Sequence, residues 1–120
     1  MSECLRRRSD FQKVYRRGRR YEGSLLTAFV LPNSCRAHRL GVTASRKALG
    51  NAVNRNRAKR LLREAFRLRE RGLQHLRLNY DWVLNARRQT ASVKVAGVLA
   101  EFESIIEQVA SHESAIGAHG

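Results

Sequence analysis

Two apolar periods alternate along this chain. Phe11, Val14 and Tyr15 fall at i, i+3 and i+4, the spacing of one helix face. Ser9 with Gln12 three residues later has the form of a capping box, and Gly18 ends the segment. Residues 19–22 can form a short strand, which Gly23-Ser24 interrupts. Leu25 to Leu31, LLTAFVL, predicts a second strand from its β-favouring residues, stopped by the turn cluster Pro32-Asn33-Ser34. His38 to Ser45 predicts a third. There Leu40, Val42 and Ala44 alternate with Gly41, Thr43 and Ser45, giving one apolar face and one small, polar face. The short connection between the last two strands predicts an antiparallel hairpin.

The period then changes to that of a long helix between Asn51 and Gly72. Ala58, Leu61, Leu62, Ala65 and Phe66 make one apolar stripe at i, i+3, i+4, i+7 and i+8. Asn51 or Asn54 can cap its start, and Gly72 is a natural stop. Tyr80 to Ala86, YDWVLNA, predicts a last strand. Ser92 can cap a final helix whose Val95, Leu99, Phe102, Ile106 and Val109 face inward as a cover for the sheet. One domain over residues 1–120 is expected, with a loose basic arm at 1–8 and a frayed tail at 111–120.

Charge changes this picture. The chain carries 24 Lys and Arg against 10 Asp and Glu, a formal net charge of +14. Residues 1–88 hold 23 of the basic residues and 6 of the acidic ones. Solubility alone needs only a few net charges, so the excess points to a polyanion, nucleic acid rather than a membrane surface. No segment has the roughly 20 apolar residues that span a bilayer. Arg6, Arg7 and Arg8 lack the apolar run of a secretory signal, so a cytoplasmic protein is expected. Cys4 and Cys35 read as free thiols. Cys35-x-x-His38 is half of a zinc motif without its other half, and reads as a surface loop. No paired-carboxylate metal motif is formed by Asp10, Glu22 and Asp81.

The charge is concentrated on the central helix. Arg55, Arg57, Lys59, Arg60 and Arg63 follow one another with no acidic residue between them. Cations at a helix start oppose the helix dipole by about a few tenths of a kcal/mol each. At 100° per residue, Asn56, Arg60, Arg63 and Arg67 point away from the Ala58 stripe, while Arg55, Arg57 and Lys59 flank it. A solvated face would interleave both signs. A row of guanidinium forks suits phosphates. Phe11, Tyr15 and Phe29 can supply stacking surfaces, or pack as core. Arg46-Lys47 and Arg87-Arg88 lie at or near strand ends, where they can flank one site. These features do not choose between RNA and DNA.

The stretch Arg39 to Arg67, RLGVTASRKALGNAVNRNRAKRLLREAFR, resembles the signature region of the bacterial ribonuclease P protein component family, with Asn54 to Arg60 matching its RNR motif. Asp10 to Tyr15 resembles the family's first helix, and Asp81 to Arg88 its last strand and following basic pair. Asn85 departs from the apolar residue usual at its position. The resemblance implies an α+β single-domain αβββαβα two-layer sandwich, like domain 2 of ribosomal protein S5, with a left-handed βαβ crossover. It implies one protein bound per catalytic RNA, with the holoenzyme removing 5′ leaders from precursor tRNA. Arg55, Asn56, Arg57, Lys59, Arg60, Arg63 and Arg67 would face the catalytic RNA. Phe11, Tyr15 and Phe29, with Lys13, Arg46, Lys47, Arg87 and Arg88, would hold the single-stranded leader. Mg²⁺ would sit mainly on the RNA, leaving no catalytic residue and no metal ligand in this chain. A structural RNA-binding protein of the ribosomal type and a stand-alone nuclease are the competing readings.

Overall fold

In the computed structural model, which describes residues 3–119, the chain runs β1 (Glu3–Cys4), α1 (Arg8–Arg17), β2 (Arg19–Glu22), β3 (Leu26–Asn33), β4 (Arg39–Thr43), α2 (Arg46–Leu49), α3 (Ala52–Leu68), α4 (Glu70–Gln74), β5 (Asn79–Ala86), a 3-10 turn (Thr90–Ser92) and α5 (Val95–His119). The strands form one sheet in the order β1-β4-β5-β3-β2. The expected αβββαβα order is present in α1, β2, β3, β4, α3, β5 and α5, with four short elements added: β1, α2, α4 and the 3-10 turn.

The expected hairpin between the second and third predicted strands does not form. β5 inserts between β3 and β4, antiparallel to the first and parallel to the second. The reason lies in burial. Tyr80, Trp82, Val83 and Leu84 are all buried, and a strand apolar on both faces belongs at the centre of a sheet. The hairpin that does form joins β2 to β3, with Gly23 donating to the Leu26 carbonyl at 2.9 Å. β3 also runs past its expected stop, through Pro32 to Asn33. β2 ends opposite Val30, so the missing N–H of Pro32 leaves no ladder partner wanting.

The sheet has two unequal faces. Leu26, Ala28 and Val30 on β3 and Trp82 and Leu84 on β5 join Leu62, Phe66, Phe102 and Ile105 in the main core. Trp82 lies edge-on to Phe66 and Phe102, with ring centroids 6.2 and 5.5 Å away. The opposite face carries a small cluster of Leu5, Val14 and Val83, with Phe11, Phe29 and Leu31 packed against it. Gly41 belongs to this face. A Cβ there would stand 2.4 Å from the Phe11 ring, so only glycine lets α1 lie this close.

Several local expectations are corrected. The arm is not loose between residues 3 and 8: Glu3 and Cys4 pair with Arg39 and Leu40, because buried Leu5 anchors the segment. Residues 1 and 2 lie outside the described residues. Ser9 is inside α1, and Arg7 stands at its N-cap without a side-chain cap. The central helix ends at Leu68, with Gly72 inside α4. Ser92 does not cap α5; its hydroxyl donates to the Gln89 carbonyl. Residues 111–119 continue α5 as helix, because the Glu113 carboxylate accepts from the Arg77 and Leu78 amides and the Tyr80 hydroxyl. Residue 120 lies outside the described residues. His38 is buried rather than on a surface loop. Its Nε2–H donates to the Leu73 carbonyl, and its Nδ1 accepts from the Tyr80 amide and Trp82 Nε1. Burial holds this imidazole below the ordinary histidine range. Among the described residues, no helix is long and apolar enough to cross a membrane.

Candidate nucleic-acid interface

The α3 row is built by two caps in succession. Ser45 accepts from the Ala48 amide to start α2, Gly50 turns the chain at φ 77°, and Asn51 accepts from the Asn54 amide to start α3. Arg46 and Lys47, expected to close the third strand, are instead exposed on α2. Asn54 reaches back to the Leu49 carbonyl at 3.4 Å, tying the two helices together. The phase of α3 is as the apolar stripe predicts. Ala58, Leu62, Ala65 and Phe66 are buried, while Asn56, Arg57, Arg60, Arg63 and Arg67 are exposed.

Those cations are not equivalent. Arg60 and Arg63 make no ion pair among the described residues. Arg67 pairs with Glu64 at 2.6 Å, which raises its pKa. Arg57 donates Nε–H to the Ala91 carbonyl at 2.6 Å. Arg55 is half-buried, and its Nε is buried without a partner among the described residues. Lys59 is half-buried beside the stripe.

A second surface lies on the other side of the sheet, beside α1. Tyr15 is 39% exposed and meets Phe29 edge to face at 4.9 Å. The Arg20 guanidinium stands 5.8 Å from the Phe29 ring centroid. The Tyr15 hydroxyl donates to Asn85 Oδ1 at 2.9 Å, and Thr43 donates to the same oxygen at 2.6 Å. Thr43 and Asn85 are paired across the parallel β4–β5 ladder. Arg46-Lys47 and Arg87-Arg88 follow from those two strand ends, all four exposed. Arg87 reaches Glu22 and Thr27 at 3.5 Å. Phe11 is half-buried on the same helix, over Gly41.

Lys13 is not brought to this site. It lines a separate hollow with Leu31, Asn33, Arg39 and Asp81. There Asp81 is buried and held by Arg39 Nε and NH2 at 2.7 and 2.6 Å and by Asn33 Nδ2 at 2.8 Å. A larger apolar cavity, lined by Tyr21, Leu78, Tyr80 and Glu113 among others, contains none of the predicted site residues. The residues that sequence reasoning missed are Thr27 and Thr43. Their signal is alternation: every second residue of β3, β4 and β5 faces α1, and a polar residue there marks the uncovered end.

Two acidic residues of α5 are tied to other parts of the fold. Glu101 accepts from the Ser24, Leu25 and Leu26 amides and the Ser24 hydroxyl, and Glu103 pairs with Arg69 at 3.2 Å. No group of three or more potential metal ligands occurs among the described residues.

A family model described as Ribonuclease P matches residues 1–110. The chain belongs to the ribonuclease P protein family. It is 42% identical over 113 residues to the ribonuclease P protein component of Desulfovibrio desulfuricans, covering 90% of this chain and 83% of that one. It is 40% identical over 86 residues to the Clostridium botulinum counterpart, covering 72% and 75%. The fold is similar to the RNase P proteins of Staphylococcus aureus (TM-score 0.75, 26% identity, 89% and 94% covered) and Thermotoga maritima (TM-score 0.74, 27% identity, 88% and 96% covered).

Proposed function

We propose that this chain is the protein subunit of ribonuclease P, which grips the 5′ leader of precursor tRNA while a catalytic RNA removes it. The observation that carries this reading is the Tyr15–Phe29 pair with Arg20 over Phe29. Aromatic faces beside cations are a platform for unpaired bases. They stand at the sheet end where Arg46, Lys47, Arg87 and Arg88 can track a phosphate backbone. On the opposite side of the sheet, Arg60 and Arg63 on α3, with Asn56, Lys59 and Arg67, would lie against the catalytic RNA. Arg55, with its unpartnered buried Nε, would complete this surface. Because the two surfaces lie on opposite sides of one sheet, the protein can bridge two RNAs and screen their mutual repulsion.

The reaction is hydrolysis of a phosphodiester. In this reading the RNA would hold Mg²⁺, which would supply an activated water and stabilise the leaving oxygen. Three of the chain's carboxylates are tied into the fold: Asp81 to Arg39, Glu101 to the β2–β3 turn, Glu113 to the start of β5. In this reading the role of the chain is binding and positioning, one protein per RNA, in the cytoplasm.

The test is the ratio of affinities of the reconstituted holoenzyme for leader-bearing precursor and mature tRNA. Phe11→Ala with Tyr15→Ala should reduce that ratio while leaving affinity for the catalytic RNA in place. An unchanged ratio contradicts the leader assignment.

A further inference from the structure

We propose that Asn85 selects the leader base that stacks beside Tyr15, favouring the oxo bases uracil and guanine over the amino bases cytosine and adenine. The inference rests on the leader-cleft reading above. It starts from the hydrogen-bond capacity of a primary amide. A side-chain amide oxygen has two lone pairs, and its nitrogen has two hydrogens. Both lone pairs of Asn85 Oδ1 are taken, by the Tyr15 and Thr43 hydroxyls at 2.9 and 2.6 Å. Neither Nδ2 hydrogen has a partner among the described residues. The residue is half-buried, and its nitrogen is not among the sealed, unpartnered atoms. Asn85 therefore presents donors alone to whatever enters.

This alters how the residue reads a base. An asparagine with a free amide matches adenine through two bonds, accepting from N6 and donating to N7. Here the acceptor half is spent. At the edge position that Nδ2 reaches, the 6-amino group of adenine or the 4-amino group of cytosine meets a donor with a donor. A base with an oxo group at the same place accepts. The stacking element is one bond away, because the hydroxyl that donates to Asn85 belongs to the ring packed on Phe29. A base stacked on Tyr15 with an edge toward the ring's hydroxyl would meet Asn85. The two hydroxyls also lock the amide plane. Thr43 fixes it from the neighbouring strand, so the donors are set in place before a leader arrives. An apolar side chain at this position could not distinguish these edges.

The test uses holoenzyme reconstituted with its catalytic RNA. Precursors carrying U, G, C or A at each leader position in turn compete in one mixture, and relative kcat/KM is read from the products. At one position U and G should exceed C and A by about threefold to tenfold, the range of one neutral hydrogen bond. Two substitutions in the substrate need no protein variant: a pyrimidin-2-one nucleoside for U, which lacks the 4-oxo group, and 2-aminopurine for G, which lacks the 6-oxo group. Both should fall to the level of C and A. Asn85→Leu should flatten the preference, and Asn85→Asp, which can only accept, should turn it toward C and A. A flat profile in the unmodified protein overturns the inference, as does an oxo preference that survives Asn85→Leu. If leader-bearing and leaderless precursors bind equally well, the cleft reading itself fails and takes this inference with it. A leader effect without base preference sinks the inference alone.

Discussion

Arg57 Nε–H donates to the carbonyl oxygen of Ala91 at 2.6 Å, joining the basic helix to the turn that follows β5. That turn begins at Arg87, whose amide donates to Thr90 Oγ1 at 2.8 Å, and Thr90 in turn donates to the Leu25 carbonyl. Arg87 lies beside Thr27 and Glu22 on the aromatic side of the sheet. One exposed cation of the RNR motif is thus a strut between the two candidate RNA surfaces.

The consequence is a split within the motif. Arg57→Ala should destabilise the fold by about 1 kcal/mol, the usual worth of one such bond, seen as a lower midpoint in urea. It should also weaken leader discrimination. Arg60→Ala with Arg63→Ala should leave the urea midpoint unchanged and weaken binding to the catalytic RNA. The slope of log affinity against log salt should fall by about one per lost phosphate contact. Equal stability effects from both substitutions would contradict the distinction.

Gly41→Ala tests the seating of α1. The added methyl would lie 2.4 Å from the Phe11 ring, and overpacking of this kind costs about 1–3 kcal/mol. Because Tyr15 moves with the same helix, the affinity gain from a leader should fall together with stability. Equilibrium unfolding and precursor binding, measured on the same variant, check both parts.

Glu101→Ala removes an acceptor shared by three backbone amides and one hydroxyl. Hydrogen bonds to charged groups are worth about 1.5–3 kcal/mol, so a stability loss on the order of 2 kcal/mol is expected. The net charge becomes more positive, yet affinity of the folded protein for the catalytic RNA should change little. A variant as stable as the parent would refute the capping role.

His38 gives a pH dependence of stability. Its folded pKa lies below the ordinary value of 6.5 because burial disfavours the charged ring. The unfolded chain therefore binds the proton first. Stability should be constant with respect to this residue above pH 6.5 and decline as pH falls from there toward the folded pKa. Urea titrations across that window check the sign. Protonation would also place a hydrogen on Nδ1, which now accepts from Tyr80 and Trp82.

How much of this was legible in the sequence differs by element. The buried and exposed sides of α3 follow from local periodicity alone, and the order of the principal elements follows from family resemblance. The position of β5 between β3 and β4 does not follow locally, because strand pairing across 42 to 60 residues of separation leaves no mark in a short window. The acids of α5 read as a solvated face, since no spacing rule connects Glu101 to the amides of Ser24–Leu26. Lys13 joins Tyr15 only through the family resemblance, although the helical period already sets it on the other side of α1. They sit two residues apart on a helix, and so on nearly opposite sides of it. Asn85 was visible as an oddity in an apolar strand. Its reason appears only when Tyr15 and Thr43 are seen to share its oxygen.

The most direct measurement of the central claim is reconstitution with the cognate catalytic RNA. At low Mg²⁺, where RNA–RNA repulsion is least screened, adding this protein should strongly stimulate removal of the 5′ leader from precursor tRNA. The Phe11→Ala, Tyr15→Ala variant should lose that part of the stimulation which depends on the leader. No stimulation by the unmodified protein would contradict the account.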